Sequence, residues 1–171
     1  SKDNFTDQSA QIKCKSCEKD ETSKDEGATF CTKCDPGQYM TTTKTTKMCS
    51  DCPPGKVSTY GKIECTVCSR GYYVSNDKST CTPCDPGEYS DQNLQTSASS
   101  CKTCPQGTYS SASGVTNITD CNKCPAGKKN EKFGSIKSSD CVDCKSNTKA
   151  ENEGSTECKV CKVGQQSDQG S

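Results

Sequence analysis

Residues 101–124 read Cys101-Lys-Thr-Cys104-Pro-Gln-Gly107-Thr-Tyr109-Ser-Ser-Ala-Ser-Gly114-Val-Thr-Asn117-Ile-Thr-Asp-Cys121-Asn-Lys-Cys124. Two Cys-x-x-Cys pairs bracket a polar segment that has a glycine near its start, an aromatic residue two positions later and a second glycine near its tip. No apolar 3.6-residue period runs through it, so a helix longer than a turn or two is not expected. Glycine and small polar residues between short extended stretches read instead as strand, turn and second strand, closed at the base by cysteine.

Working outward, the same phrase fills the chain. All 18 cysteines fall into nine Cys-x-x-Cys pairs that begin at Cys14, Cys31, Cys49, Cys65, Cys81, Cys101, Cys121, Cys141 and Cys158. Steps of 16 to 20 residues between them define a tandem array over 14–166, with a polar segment at 1–13 and a polar tail at 167–171. Three residues after the second cysteine of each pair stand Asp20, Gly37, Gly55, Gly71, Gly87, Gly107, Gly127, Asn147 and Gly164. These residue types tolerate positive φ, so a turn with a left-handed residue is expected at the same place in every module. Pro36, Pro54 and Pro86 directly precede that glycine, as a type II turn favours. Tyr39, Val57, Tyr73, Tyr89 and Tyr109 follow two residues later, each expected to cover its own module's disulfide. The three 20-residue modules, roughly 84 to 141, are expected to carry longer hairpin tips.

Composition explains why cysteine is needed. Ile, Leu, Val and Phe together number 15 of 171 residues, a level typical of chains that cannot fold on a core. Burial at about 25 cal/mol per Å2 cannot offset an ordering cost of roughly 1–2 kcal/mol per residue with so little apolar material. A dense, even set of cysteines points to a disulfide scaffold in an oxidising compartment, hence an extracellular or cell-surface location. The expected fold is small, disulfide-rich and mostly irregular with short β-hairpins, an elongated rod without a single hydrophobic core. The 22 basic and 22 acidic side chains cancel, so no field favours nucleic acid or an anionic membrane. No run of 18 apolar residues is present, so no membrane insertion is expected within this segment, which reads as part of a longer exported protein.

Sequence does not determine connectivity. Bridging within one Cys-x-x-Cys makes a small strained ring typical of redox sites, and nine such centres in one chain is not credible. The simplest scheme joins the second cysteine of each pair to the first of the next: Cys17–Cys31, Cys34–Cys49, Cys52–Cys65, Cys68–Cys81, Cys84–Cys101, Cys104–Cys121, Cys124–Cys141 and Cys144–Cys158. Each closed loop then contributes roughly 3 kcal/mol in the chain-entropy model. Crossed pairing between adjacent nodes, or a mixture, stays open. Zinc held by two pairs has a legitimate spacing too, although nine pairs do not divide evenly among such sites. The serial ladder leaves Cys14 and Cys161 over, for further modules of a longer precursor, for a second copy head-to-tail, or for each other.

Catalytic chemistry finds no foothold. Histidine and tryptophan are absent, which excludes Ser-His and Cys-His nucleophile arrangements. There is no glycine-rich phosphate loop, the carboxylates are scattered through turns, and no cofactor is expected. Asn4-Phe-Thr and Asn117-Ile-Thr are N-glycosylation sequons.

The motifs Cys101-Lys-Thr-Cys104-Pro-Gln-Gly-Thr-Tyr109-Ser and Cys81-Thr-Pro-Cys84-Asp-Pro-Gly-Glu-Tyr89-Ser resemble ephrin-receptor-like cysteine-rich repeats. More distantly they are similar to modules of tumour necrosis factor receptor ectodomains and growth-factor-receptor cysteine-rich regions. The resemblance is clearest from 31 to 127; the modules at Cys14 and Cys141, with Asp20 and Asn147 for glycine, depart from it. It implies an elongated extracellular rod, with serial pairing in the simplest modules. Such arrays occur in receptors, adhesion proteins, protist surface coats and structural appendages, so the family alone does not assign a function. The leading expectation is a glycosylated structural rod, a coat, stalk or filament component assembling through Cys14 and Cys161. The alternative is a receptor or adhesion ectodomain binding a protein ligand, for which Arg70, Tyr72 and Tyr73 offer an aromatic and arginine patch.

Overall fold

The computed structural model describes residues 4–5, 15–23, 28–44 and 46–170. Cys14 and the side chain of Asn4 lie outside the described residues. Among the described residues the strands pair into eight two-stranded sheets. They join Asn4–Phe5 to Lys15–Ser16, Gln38–Thr42 to Lys47–Asp51, and Lys56–Val57 to Thr66–Val67. Tyr72–Val74 joins Cys81–Pro83, and Glu88–Tyr89 joins Lys102–Thr103. Thr108–Tyr109 pairs with Asn122–Lys123, Lys128–Lys129 with Val142–Asp143, and Thr148–Lys149 with Lys159–Val160.

The placement of the return strands explains the disulfide pattern. Each contains the two residues enclosed by a Cys-x-x-Cys pair, as Lys102–Thr103 lies between Cys101 and Cys104. Side chains alternate along a strand, so residues three apart leave opposite faces, with Cα atoms about 10 Å apart at some 3.3 Å per residue. A disulfide spans no more than about 7 Å between Cα atoms. The cysteines of one pair are thereby held apart, and each turns to a different neighbour. The eight bonds are Cys17–Cys31, Cys34–Cys49, Cys52–Cys65, Cys68–Cys81, Cys84–Cys101, Cys104–Cys121, Cys124–Cys141 and Cys144–Cys158. This is the serial ladder, with Cα separations from 5.4 to 5.9 Å. Crossed pairs and zinc sites have no cysteines left to use along it.

By contact density the chain divides into two compact units: Ser1–Cys68 with Val74–Thr82 and Leu94–Ser97, and Ser69–Tyr73 with Pro83–Asn93 and Ala98–Ser171. Each holds four of the disulfides. Cystine serves as the core in both: Cys34, Cys68, Cys84, Cys104, Cys124 and Cys144 are all but inaccessible. Apolar side chains add only small clusters. In the first unit Val57 and Val74 pack with Cys68 and Cys81; in the second Tyr89 and Val115 pack with Cys104 and Cys121.

Two expectations need correction. Val57 and Tyr89 cover the next module's disulfide rather than their own. The reason is a backbone pairing from one module to the next, in which Tyr89 bridges Val115 and the Ser90 N–H donates to the Val115 carbonyl at 3.0 Å. Tyr39, Tyr73 and Tyr109 are only partly buried. The added length of the 20-residue modules goes into single 3-10 turns, Ala98–Ser100, Ile118–Asp120 and Ser138–Asp140, immediately before the closing cysteine. Those turns carry the chain back to the base of the loop, and the hairpin tip does not lengthen. Among the described residues no helix is long and apolar enough to cross a membrane.

Candidate functional site

The recurring element of this chain is a glycine seat, and Gly107 shows how it works. Pro105, Gln106, Gly107 and Thr108 form a turn closed by the Thr108 N–H donating to the Pro105 carbonyl at 3.2 Å, with Gly107 at φ +78° as a type II turn requires. The Gly107 N–H donates to the Asn130 carbonyl one module on, at 2.8 Å. Its carbonyl accepts from the Cys124 N–H at 2.8 Å, and the Cys124 carbonyl accepts from Gly154 at 2.8 Å. The Gly154 carbonyl in turn sits where a Gly107 side chain would stand, 2.0 Å from an ideal Cβ. Gly107 is therefore needed twice, for its φ and for the backbone seated against it.

The seat repeats. The second cysteine's N–H donates to the preceding module's turn residue at Cys52, Cys68, Cys84, Cys104, Cys124, Cys144 and Cys161. The turn N–H reaches the following module from Gly37, Gly71, Gly87, Gly127 and Asn147 as well. Gly37, Gly55, Gly71, Gly87, Gly107, Gly127, Asn147 and Gly164 all have positive φ. Asp20 departs: its turn closes through Glu21 N–H to Glu18 carbonyl without a left-handed residue, and its carboxylate pairs with Lys33 at 2.7 Å.

Two residue classes in this interlock escape sequence reading. Lys78 and Leu94 adopt φ +55° and +65° at the tip position that Gly61, Gly114, Gly134 and Gly154 fill elsewhere. Neither residue type signals a left-handed turn, and only their distance from the neighbouring cysteines, compared across modules, would have suggested it. The second class lies three residues beyond the turn residue: Met40, Ser58, Val74, Ser90, Ser110, Asn130 and Ala150, all buried. Their mixed chemistry hides a shared role, since the carbonyls of Ser58, Ser90, Ser110, Asn130 and Ala150 receive the previous turn's N–H. Asn130, 2% exposed, also donates to the Thr108 carbonyl at 3.0 Å and to Ser135 Oγ at 2.9 Å, while its Oδ1 accepts from the Lys132 N–H.

The expected ligand patch is only partly assembled. Arg70 is exposed, and Tyr72 is 39% exposed with its ring 3.5 Å from an ideal Cβ on Gly114. Tyr73, next along the strand, leaves the opposite face and is half-buried. The Arg70 N–H is held by Asn93 Oδ1 at 3.0 Å. Asp91 pairs with Lys102 at 2.9 Å, and this hydrogen bond, with a lesser contribution from Arg70, holds its carboxyl below the usual range.

Cys161 is a free, half-buried thiol that donates to Ser167 Oγ at 3.4 Å. It lines a cleft of about 530 Å3 with Lys149, Ala150, Glu151 and Gln165. Asn117 and Thr119 of the second sequon are exposed. Among the described residues no group of three His, Cys, Asp or Glu side chains is placed to hold a metal ion.

A family model described as tyrosine-protein kinase ephrin type A/B receptor-like matches residues 71–121 and, one module later, residues 95–141. Among curated proteins none matches the chain. The overlapping matches fall on the modules where the glycine seat is most regular. Repeats of this type, with eight disulfides, point to an extracellular or cell-surface module.

Proposed function

We propose that this chain, whose residues 71–141 match the ephrin-receptor-like repeat, is a structural component of an extracellular surface: a spacer, coat or filament module that joins its neighbours head-to-tail through Cys161 and Cys14. The observation that carries this reading is the glycine seat. Within each compact unit, backbone groups at the turn residues from Gly37 onward tie one module to its neighbour while one disulfide closes each loop, so side chains vary widely around a constant register. That property suits a scaffold. Head-to-tail contacts that do not close on themselves produce filaments, and the free Cys161 thiol is the group on which such a contact would become covalent.

The test is the size of the secreted chain, measured without reduction. Disulfide-linked multimers are expected, lost in Cys161→Ser and in Cys14→Ser alike, and retained in the double variant Arg70→Ala, Tyr72→Ala. A monomer that keeps both thiols free overturns the assembly. A second reading, a receptor or adhesion ectodomain, is supported by exposed Arg70 and Tyr72, because such side chains commonly anchor protein ligands. A saturable protein ligand that the double variant no longer binds would establish it.

A further inference from the structure

We infer that Asn117 carries an N-linked oligosaccharide and that this glycan stands over the Tyr72 face. The inference rests on the extracellular reading of the chain and not on the choice between scaffold and receptor. The sequon Asn117-Ile118-Thr119 lies at the start of the 3-10 turn Ile118–Asp120. Asparagine in front of a helical turn ordinarily uses its side chain to cap a backbone N–H. Asn117 does not: its backbone carbonyl accepts from the Asp120 N–H at 3.1 Å, and its carboxamide makes no capping bond. The backbone at Asn117 is extended, with φ −142° and ψ 151°, and Asn117, Ile118 and Thr119 are all exposed. The carboxamide and the Thr119 hydroxyl are thus presented without a structural task. Asn130 is the contrast, buried, fully bonded and followed by Glu131 and Lys132, which make no sequon.

The attachment is a substitution. The Asn117 amide nitrogen bonds to C1 of the first sugar of a lipid-pyrophosphate oligosaccharide, the C1–O bond to pyrophosphate breaks, and the nitrogen loses one proton to base. No oxidant is required. Asn117 is three residues from Gly114, a reach of at most about 10 Å, and the Tyr72 ring lies 3.5 Å from an ideal Cβ on Gly114. A branched oligosaccharide anchored within that distance is long enough to reach across Tyr72.

The full chain, secreted from a eukaryotic cell with Asn4→Gln to remove the other sequon, is analysed by mass. A heterogeneous sugar mass is expected, released by an amidase that cleaves N-linked glycans and leaves aspartate at 117. Asn117→Gln and Thr119→Ala should each abolish it, and Thr119→Ser should keep it. A secreted chain that carries no amidase-releasable sugar overturns the site, as does amidase-releasable sugar that survives Asn117→Gln. Iodination of Tyr72 should be several-fold faster in Asn117→Gln than in the glycosylated chain; equal rates overturn the placement of the glycan over that face. Scaffold and receptor readings predict the same result, so failure here leaves the multimer test intact.

Discussion

Replacing Gly107 with alanine tests the interlock most directly, because Gly164 supplies a matched control. The two glycines have nearly the same φ, +78° and +81°. An ideal Cβ at Gly164 meets nothing within 4 Å, whereas at Gly107 it lies 2.0 Å from the Gly154 carbonyl oxygen and 2.6 Å from its carbon. Both variants force an L-residue into the left-handed region, a penalty of about 1–2 kcal/mol. At Gly107 the obstacle is also backbone, which cannot rotate away. An ordinary carbon–oxygen contact is about 3.3 Å, so the strands must part by more than 1 Å. The bonds from Gly107 to Asn130, from Cys124 to Gly107 and from Gly154 to Cys124, each 2.8 Å, would be stretched beyond hydrogen-bond range. At about 1 kcal/mol each, their loss adds about 3 kcal/mol at Gly107 alone. Amide hydrogen exchange with the disulfides intact reads this locally. Protection at Cys124 and Gly154 is expected to fall about 1,000-fold or more in Gly107→Ala, since the two penalties together reach about 4–5 kcal/mol and each 1.4 kcal/mol is a factor of ten. In Gly164→Ala the amide of Gln165, bonded to the Lys162 carbonyl, should lose about tenfold or less. Equal losses at the two sites, or unchanged protection at Cys124, would refute the seat as the source of register.

Three further outcomes follow from the same geometry. Asn130→Ala removes two donors from a buried site and leaves the Thr108 carbonyl unpaired, so a loss of about 2–3 kcal/mol is expected in exchange protection around Ser110 and Asn130. Leu94→Gly relieves a left-handed strain of about 1–2 kcal/mol and adds unfolded-chain entropy of roughly 0.5–1 kcal/mol; Leu94 is 46% exposed, so protection should be unchanged or slightly higher, and a large loss would contradict the tip assignment. The Asp77 carboxylate accepts from the Ser75 and Ser79 hydroxyls and from the Ser79 N–H, and these bonds hold its pKa at about 2. A carboxyl depressed in the folded state favours folding above its ordinary pKa, near 4, and that contribution fades as pH falls toward 2. The Asp77 side-chain NMR titration should show a midpoint near 2; one near 4 would mean the bonds are absent in solution.

What the sequence could show was periodic or strongly typed. Cys-x-x-Cys spacing, the turn residues from Gly37 to Gly164 and the tip residues Gly61, Gly114, Gly134 and Gly154 repeat residue by residue, and the structure gives them shared conformations. Pairing was readable only as the simplest of several schemes. What separates the cysteines of one pair, a return strand threaded between them, is a fact about strand position. Lys78 and Leu94 were hidden because their own propensity opposes the left-handed backbone they adopt, Lys78 while closing a turn on the Ser75 carbonyl of its own module and Leu94 while donating to the Cys68 carbonyl of the preceding one. Ser58, Ser90, Ser110 and Asn130 were hidden for a related reason. They are buried by the preceding module's turn, a contact that hydrophobic patterning does not register. Covering of one module's disulfide by the previous module's Val57 or Tyr89 belongs to the same class, a relation between repeats and not a property of any one of them.

The alternation of disulfide and two-residue strand also determines how the chain carries tension. A pull entering at Cys34 crosses to Cys49 through sulfur, a step of 5.4 Å between Cα atoms, and continues through Ser50 and Asp51 to Cys52. The 14 residues between Cys34 and Cys49 lie outside that path. Their hairpin stays slack while the covalent line is taut, and a sugar or a partner can rest on a loop without bearing load. Reduction of that one bond would release roughly 50 Å of stored contour at some 3.5 Å per residue, so the redox state of the surroundings sets the extensibility of the array.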